Sequence, residues 1–155
     1  MEIIEKTKAP DFSLPDAEGR IFRLSENIGK PLILYFYPKD DTPGCTTEAC
    51  NFRDDYSHYQ SMGIEIVGIS PDGEKSHIKF AQKHQLPFRI LSDQDHKVCE
   101  IYGVWGRKKM MGREYDGVFR TTFLINKEGM IEKIYHGVKP TTHSQEILEY
   151  FQSTK

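Results

Sequence analysis

An unbroken apolar run, Leu32-Ile33-Leu34-Tyr35-Phe36-Tyr37, leads straight into Pro38. A run of this length with no polar alternation predicts a strand covered on both faces, and therefore a central sheet with helices above and below it. Pro38 ends the strand. After a short polar loop comes Thr42-Pro43-Gly44-Cys45. Thr42 suits a helix N-cap, and Pro43 suits the first helical position, where its missing N–H costs nothing. Cys45 then lies in the first turn of a helix, where the partial positive charge of the helix start favours thiolate over thiol. The spacing predicts a reactive sulfur held between a buried strand and a helix.

Cys50 follows five residues later. Five helical residues turn the side chain by about 140° and climb about 7.5 Å. A disulfide needs Cα atoms within roughly 7 Å and converging Cβ directions. If both cysteines are helical, they cannot bond without local unwinding. The pair points to a cycle in which Cys45 is oxidised to a sulfenic acid, the helix frays, and Cys50 attacks to form a disulfide.

Pro38-x-x-x-Thr42-x-x-Cys45 resembles the active-site motif of peroxiredoxins, and the second cysteine at Cys-x-x-x-x-Cys spacing resembles the peroxiredoxin Q, or bacterioferritin comigratory protein, branch. The likeness extends through Ala9-Pro10-Asp11-Phe12-Ser13-Leu14-Pro15-Asp16, Gly68-Ile69-Ser70, Leu91-Ser92-Asp93, Tyr102-Gly103-Val104-Trp105-Gly106 and Arg120-Thr121-Thr122-Phe123-Leu124-Ile125. It implies a thioredoxin-like fold and a thiol-dependent peroxidase acting on hydrogen peroxide and organic hydroperoxides. The expected reductant is thioredoxin, with glutaredoxin or glutathione as alternatives, and neither metal nor organic cofactor is expected. In that scheme Cys45 is the attacking sulfur and Cys50 the resolving one. The Thr42 hydroxyl and the Arg120 guanidinium serve the sulfur and the peroxide, and Pro38 shapes the loop and shields the sulfur.

Each residue also has a plainer reading. Cys45 alone could be a buried structural thiol. Thr42 could simply cap the helix. Arg120, in the apolar stretch GVFRTTFLI, would by itself read as a strand arginine paired with a carboxylate or reaching solvent. Arg53 reads as structural, paired with Asp54, Asp55 or another acid. Cys50 could be a core cysteine with reduction coming from an external thiol, and Cys99 reads as a buried bystander. The histidines show no paired metal-ligand spacing, and one close cysteine pair is too few for a structural zinc. Two further functional readings stay open. One is a general disulfide oxidoreductase, although its Cys-x-x-Cys is missing. The other is a redox sensor or chaperone whose helix opens to expose Phe52, Tyr56 and Tyr59.

At 155 residues the chain suits one domain, 1–155. A net charge of −2 with mixed signs predicts no nucleic-acid face, and no apolar run approaches the ~18 residues of a membrane span. The opening MEIIEKTKAPDF has no apolar core of a signal peptide, so a cytoplasmic protein is expected. Three cysteines argue against a structural disulfide framework. An intramolecular disulfide suits a monomer.

The pattern along the chain predicts an N-terminal hairpin of Phe12–Leu14 and Ile21–Leu24, then a helical turn or loop at 25–30. Strand 32–37, helix 43–61, strand 64–69, helix 73–84, strand 88–91 and helix 95–102 follow. The 106–117 stretch, with Arg107, Lys108, Lys109 and Arg113, reads as a mobile basic loop. A hairpin of strands 118–126 and 131–136 and a helix over 143–153 complete the chain. The predicted class is α/β, a mixed central sheet with helices on both faces.

Overall fold

The computed structural model describes residues 3–153. Its centre is a five-stranded sheet whose strands lie in the order 89–92, 65–70, 32–36, 121–125 and 131–135. The middle strand, β3 (Leu32–Phe36), is buried along its whole length, as its apolar run requires. It pairs in parallel with β4 (Glu65–Ser70), and β4 with β5 (Arg89–Ser92). On its other edge β3 pairs antiparallel with β8 (Thr121–Ile125), which pairs antiparallel with β9 (Ile131–Tyr135). The sheet is mixed because β3-to-β4 and β4-to-β5 cross over through helices, while β8 and β9 are joined by a tight turn. In that turn the Asn126 side chain accepts from the N–H groups of Glu128 and Met130.

Alternate residues of β3 point to opposite faces. Ile33 and Tyr35 pack with Phe52 and Tyr59 of α1 (Pro43–Ser61), Phe80 of α2 (Glu74–His84), and Ile147 and Leu148 of α4 (His143–Ser153). Leu32, Leu34 and Phe36 pack with Val98, Cys99 and Tyr102, around the short α3 (Lys97–Ile101), and with the N-terminal hairpin of β1 (Ser13–Pro15) and β2 (Ile21–Arg23). Helices therefore cover both faces. Among the described residues no helix is long and apolar enough to cross a membrane.

Three expectations need correction. The 106–117 stretch is a second hairpin, β6 (Trp105–Met110) paired with β7 (Arg113–Val118). Its turn places Met111 and Gly112 at φ of 53° and 79°, the left-handed pair of a two-residue hairpin turn. The strand predicted over 118–126 breaks at Phe119 and Arg120, so Arg120 sits in the gap between β7 and β8. Helix α3 is shorter than predicted, because the Asp93 carboxylate takes the N–H groups of Val98 and Cys99 at its start. On this helix Val98 and Cys99 are buried and Ile101 is 47% exposed. In α2 the buried residues are His77 and Phe80.

Candidate active site

Thr42 has extended backbone and stands at the N-cap of α1, with Pro43 inside the first turn. The carbonyl of Thr42 accepts the N–H of Thr46 at 2.8 Å. Its hydroxyl caps no helical N–H. It donates to the Lys39 carbonyl at 2.9 Å and so tightens the loop ahead of the helix. The capping expectation is therefore met by backbone geometry and not by the side chain.

Cys45, in the first turn, is 1% exposed. Arg120 Nη2 lies 3.3 Å from its sulfur, and Arg120 Nη1 donates to Glu48 Oε1 at 3.0 Å. One guanidinium thus joins the sulfur to a carboxylate one helical turn further along α1. Gly44 leaves room for this approach, since a Cβ there would stand 3.1 Å from Arg120 Nη2, a tight contact. Arg120 thus combines the plain reading of a carboxylate partner with the functional reading of an arginine facing the sulfur, and it does so from a gap between strands. Burial opposes the charge on Arg120, but the facing Cys45 and Glu48 outweigh it and raise its pKa further.

Glu48 is the residue that sequence reasoning missed. Its signal was the three-residue spacing from Cys45, which puts both on one helix face. Burial raises its carboxyl to about 7 against the pull of Arg120. Its second oxygen has no hydrogen-bond partner among the described residues.

A cavity of about 460 Å³ opens beside this group, lined by Pro38, Thr42, Gly44 and Arg120 on one side. The hairpin supplies the other wall with Trp105, Met110 and Tyr115. Lys108 of the same hairpin donates to the Val118 carbonyl, and its pKa is lowered by burial and by Arg120.

Cys50 faces elsewhere. It is half-buried, and its sulfur lies 3.8 Å from His84 Nδ1 at the end of α2. Arg53, one turn on, pairs with Asp54 and donates to the His84 carbonyl at 2.8 Å, a structural role as expected. Cys99 is fully buried in the apolar cluster on the opposite sheet face from Cys45. Burial, with Asp93 nearby, pushes its thiol pKa far up. All three cysteines are free thiols.

The loop before α1 is anchored by a polar network that was not legible in the sequence. Asp40 accepts from the Tyr37 hydroxyl at 2.6 Å and the Ser76 hydroxyl at 2.7 Å, and lies 2.6 Å from His77 Nδ1. Asp72 accepts from the Asp40 N–H and the Ser70 hydroxyl. Asp40, Asp72 and His77 have a spacing a metal could use. Their hydrogen bonds already close the network, which reads as a structural anchor.

The AhpC/TSA family model matches residues 6–134. A putative peroxiredoxin Bcp of Coxiella burnetii is 50% identical over 148 residues, 96% of this chain and 98% of that protein. Peroxiredoxin Bcp of Bacillus subtilis is 49% identical over 142 residues, 92% of this chain and 90% of that protein. A solved structure of the bacterioferritin comigratory protein of Xanthomonas campestris, studied for its alkyl peroxide reduction activity, superposes with a TM-score of 0.86 at 34% identity, covering 92% of this chain and 91% of that one.

Proposed function

This chain belongs to the AhpC/TSA family, as a peroxiredoxin of the Bcp or peroxiredoxin Q kind, and on that premise we propose that it reduces hydrogen peroxide and organic hydroperoxides with Cys45 as the attacking sulfur. The observation that carries the proposal is the Arg120 guanidinium 3.3 Å from the Cys45 sulfur at the start of α1. The thiolate attacks one peroxide oxygen and the O–O bond breaks. Cys45 becomes a sulfenic acid, and the departing oxygen takes a proton to leave as water or an alcohol. Arg120 supplies N–H donors where negative charge moves from sulfur to the departing oxygen. Pro38, Thr42 and the hairpin wall hold the substrate, and the apolar side chains Met110 and Trp105 offer a surface to an organic tail.

Cys50 then attacks the sulfenic sulfur, giving a Cys45–Cys50 disulfide and water. The first turns of α1 must open for this, since both cysteines are helical and face different neighbours. A dithiol protein such as thioredoxin returns the disulfide to two thiols, with glutaredoxin or glutathione as alternative donors. The chain acts as a single cytoplasmic domain and a monomer.

The test is intact-mass and peptide mapping after one equivalent of hydrogen peroxide. Rapid loss of two hydrogens, with Cys45 linked to Cys50 and Cys99 free, is the expected result. Stable oxygen on Cys45 would make the resolving thiol external, and an inert Cys45 would overturn the peroxidase reading. Cys45→Ser should abolish turnover. Cys50→Ser should complete one round and then stall with thioredoxin.

A further inference from the structure

Only the thiolate form of a resolving cysteine attacks, and an ordinary thiol is only a few per cent thiolate at pH 7. Cys50 stands in the second turn of α1, away from the helix start and from Arg120, so whatever activates Cys45 does not reach it. We propose that His84 is the general base for the resolving step, with Asp41 as its positioning residue. This rests on the assignment of Cys50 as the resolving sulfur.

His84 closes α2 and bridges two groups with its two ring nitrogens. Nδ1 lies 3.8 Å from the Cys50 sulfur, and Nε2 lies 3.3 Å from Asp41 Oδ1. The carboxylate can only accept, so Nε2 carries the hydrogen and Nδ1 presents its lone pair to the Cys50 thiol. A cysteine, a histidine and an aspartate in this order are a nucleophile, a base and an orienting group.

The ring is held from several sides. Phe80 packs against it at a steep angle of 73°, with ring centroids 5.2 Å apart. The His84 carbonyl takes the Arg53 hydrogen bond from α1, one turn beyond Cys50. Asp41 sits at a φ of 59° just ahead of the N-cap, and Lys83 Nζ reaches both its oxygens, at 3.1 and 2.9 Å. The charged and titratable groups facing the ring are thus Asp41 from the loop, Lys83 from α2, and Cys50 and Arg53 from α1.

The step balances without an outside oxidant. The Cys50 S–H bond breaks and its proton passes to His84 Nδ1 while the helix is still closed. The thiolate attacks the sulfenic sulfur of Cys45, the S–S bond forms and the S–O bond breaks. The departing hydroxide takes up a proton and leaves as water, while His84 releases its proton to solvent.

The experiment is rapid quenching of the reduced protein after one equivalent of hydrogen peroxide, following peroxide loss and Cys45–Cys50 disulfide by mass across pH 6–10. In His84→Asn, disulfide formation at pH 7 should lag behind peroxide loss by about tenfold more than in the wild type. The lag should shrink as pH rises and hydroxide takes over the removal of the thiol proton. Asp41→Asn should show a smaller lag with the same pH trend, and added imidazole should speed disulfide formation in His84→Ala. A His84→Asn protein that forms the disulfide at wild-type rate at pH 7, or faster, would overturn the proposal, the faster case making His84 a clamp on the helix. A Cys50→Ser protein that still loses two hydrogens would instead overturn the resolving assignment itself.

Discussion

Glu48 is a buried acid whose single partner does not repay its burial, and Glu48→Gln isolates the consequence. Glutamine keeps an oxygen for Arg120 Nη1 but cannot ionise. The native carboxyl holds its proton up to about pH 7, whereas the ordinary value is 4.5. Between those values the native state binds more protons than the unfolded chain. Stability from this group is therefore fully present below pH 4.5, falls as pH rises towards 7, and is flat above. A gap of about 2.5 pH units, at 1.36 kcal/mol each, comes to roughly 3 kcal/mol. That is a substantial part of the roughly 5–15 kcal/mol by which a domain is stable. The assay is urea unfolding under reductant, from pH 4.5 to 8.5, for both proteins. Titrating groups remote from Glu48 cancel in the difference. The wild type should lose about 3 kcal/mol relative to Glu48→Gln across the range. A difference that stays constant with pH would mean that Glu48 is ionised throughout, and that Arg120 does repay the burial.

Three more perturbations follow from the same geometry. Arg120→Lys keeps the charge but cannot fork between Cys45 and Glu48, so the rate of reaction with peroxide should drop roughly 10²–10³-fold, read by stopped-flow peroxide consumption. Asp40→Ala strips the partner from His77 Nδ1 and the acceptor from Tyr37 and Ser76, and should cost about 3–5 kcal/mol in chemical unfolding. Gly68→Ala would put a Cβ 2.8 Å from Tyr35 Cζ in the middle of the sheet. It should cost about 1–3 kcal/mol in a thermal melt, and much less in a Tyr35→Leu background, where the ring is gone.

What could be read in advance was carried by strong local signals. The apolar run of β3, the Thr42-Pro43 helix start and the turn at Asn126–Gly129 each have a mechanism visible in a few adjacent residues. The hairpin of β6 and β7 did not. Lys108, Lys109, Arg113, Glu114 and Asp116 occupy both strands, so no apolar-polar alternation marks a buried face, and the turn is Met-Gly and not the familiar Asn-Gly. Cys45, Thr42 and Pro38 fall together because they are neighbours in the chain. Arg120 joins them across the β3–β8 pairing, and only the family likeness pointed to it. Glu48 and His84 are ordinary surface-type residues by composition, and their placement depends on which helix face meets which neighbour. The Asp40–His77 anchor spans 37 residues, a separation that local patterning does not encode.

The two halves of α1 are fastened differently. From Phe52 onward it is locked by an aromatic cluster of Phe52 with Tyr35, Tyr59, Phe88 and His143, and by the Tyr59 and Asp55 bonds to Ser144 of α4. Before Phe52 only the small side chains of Cys45 and Ala49 enter that core, and polar ties join them: Arg120 to Cys45 and Glu48, His84 to Cys50, and Asn51 to the Pro140 carbonyl. Such a helix contains a cooperativity boundary, with one segment sharing the global stability of the core and the other opening at a cost set by a few exchangeable contacts. Substitutions that harden the core can then accumulate without slowing the opening, and substitutions at the Asn51 tie, which takes no part in the chemistry, can retune the opening without endangering the fold. Heat tolerance and turnover become separately adjustable properties of a single helix.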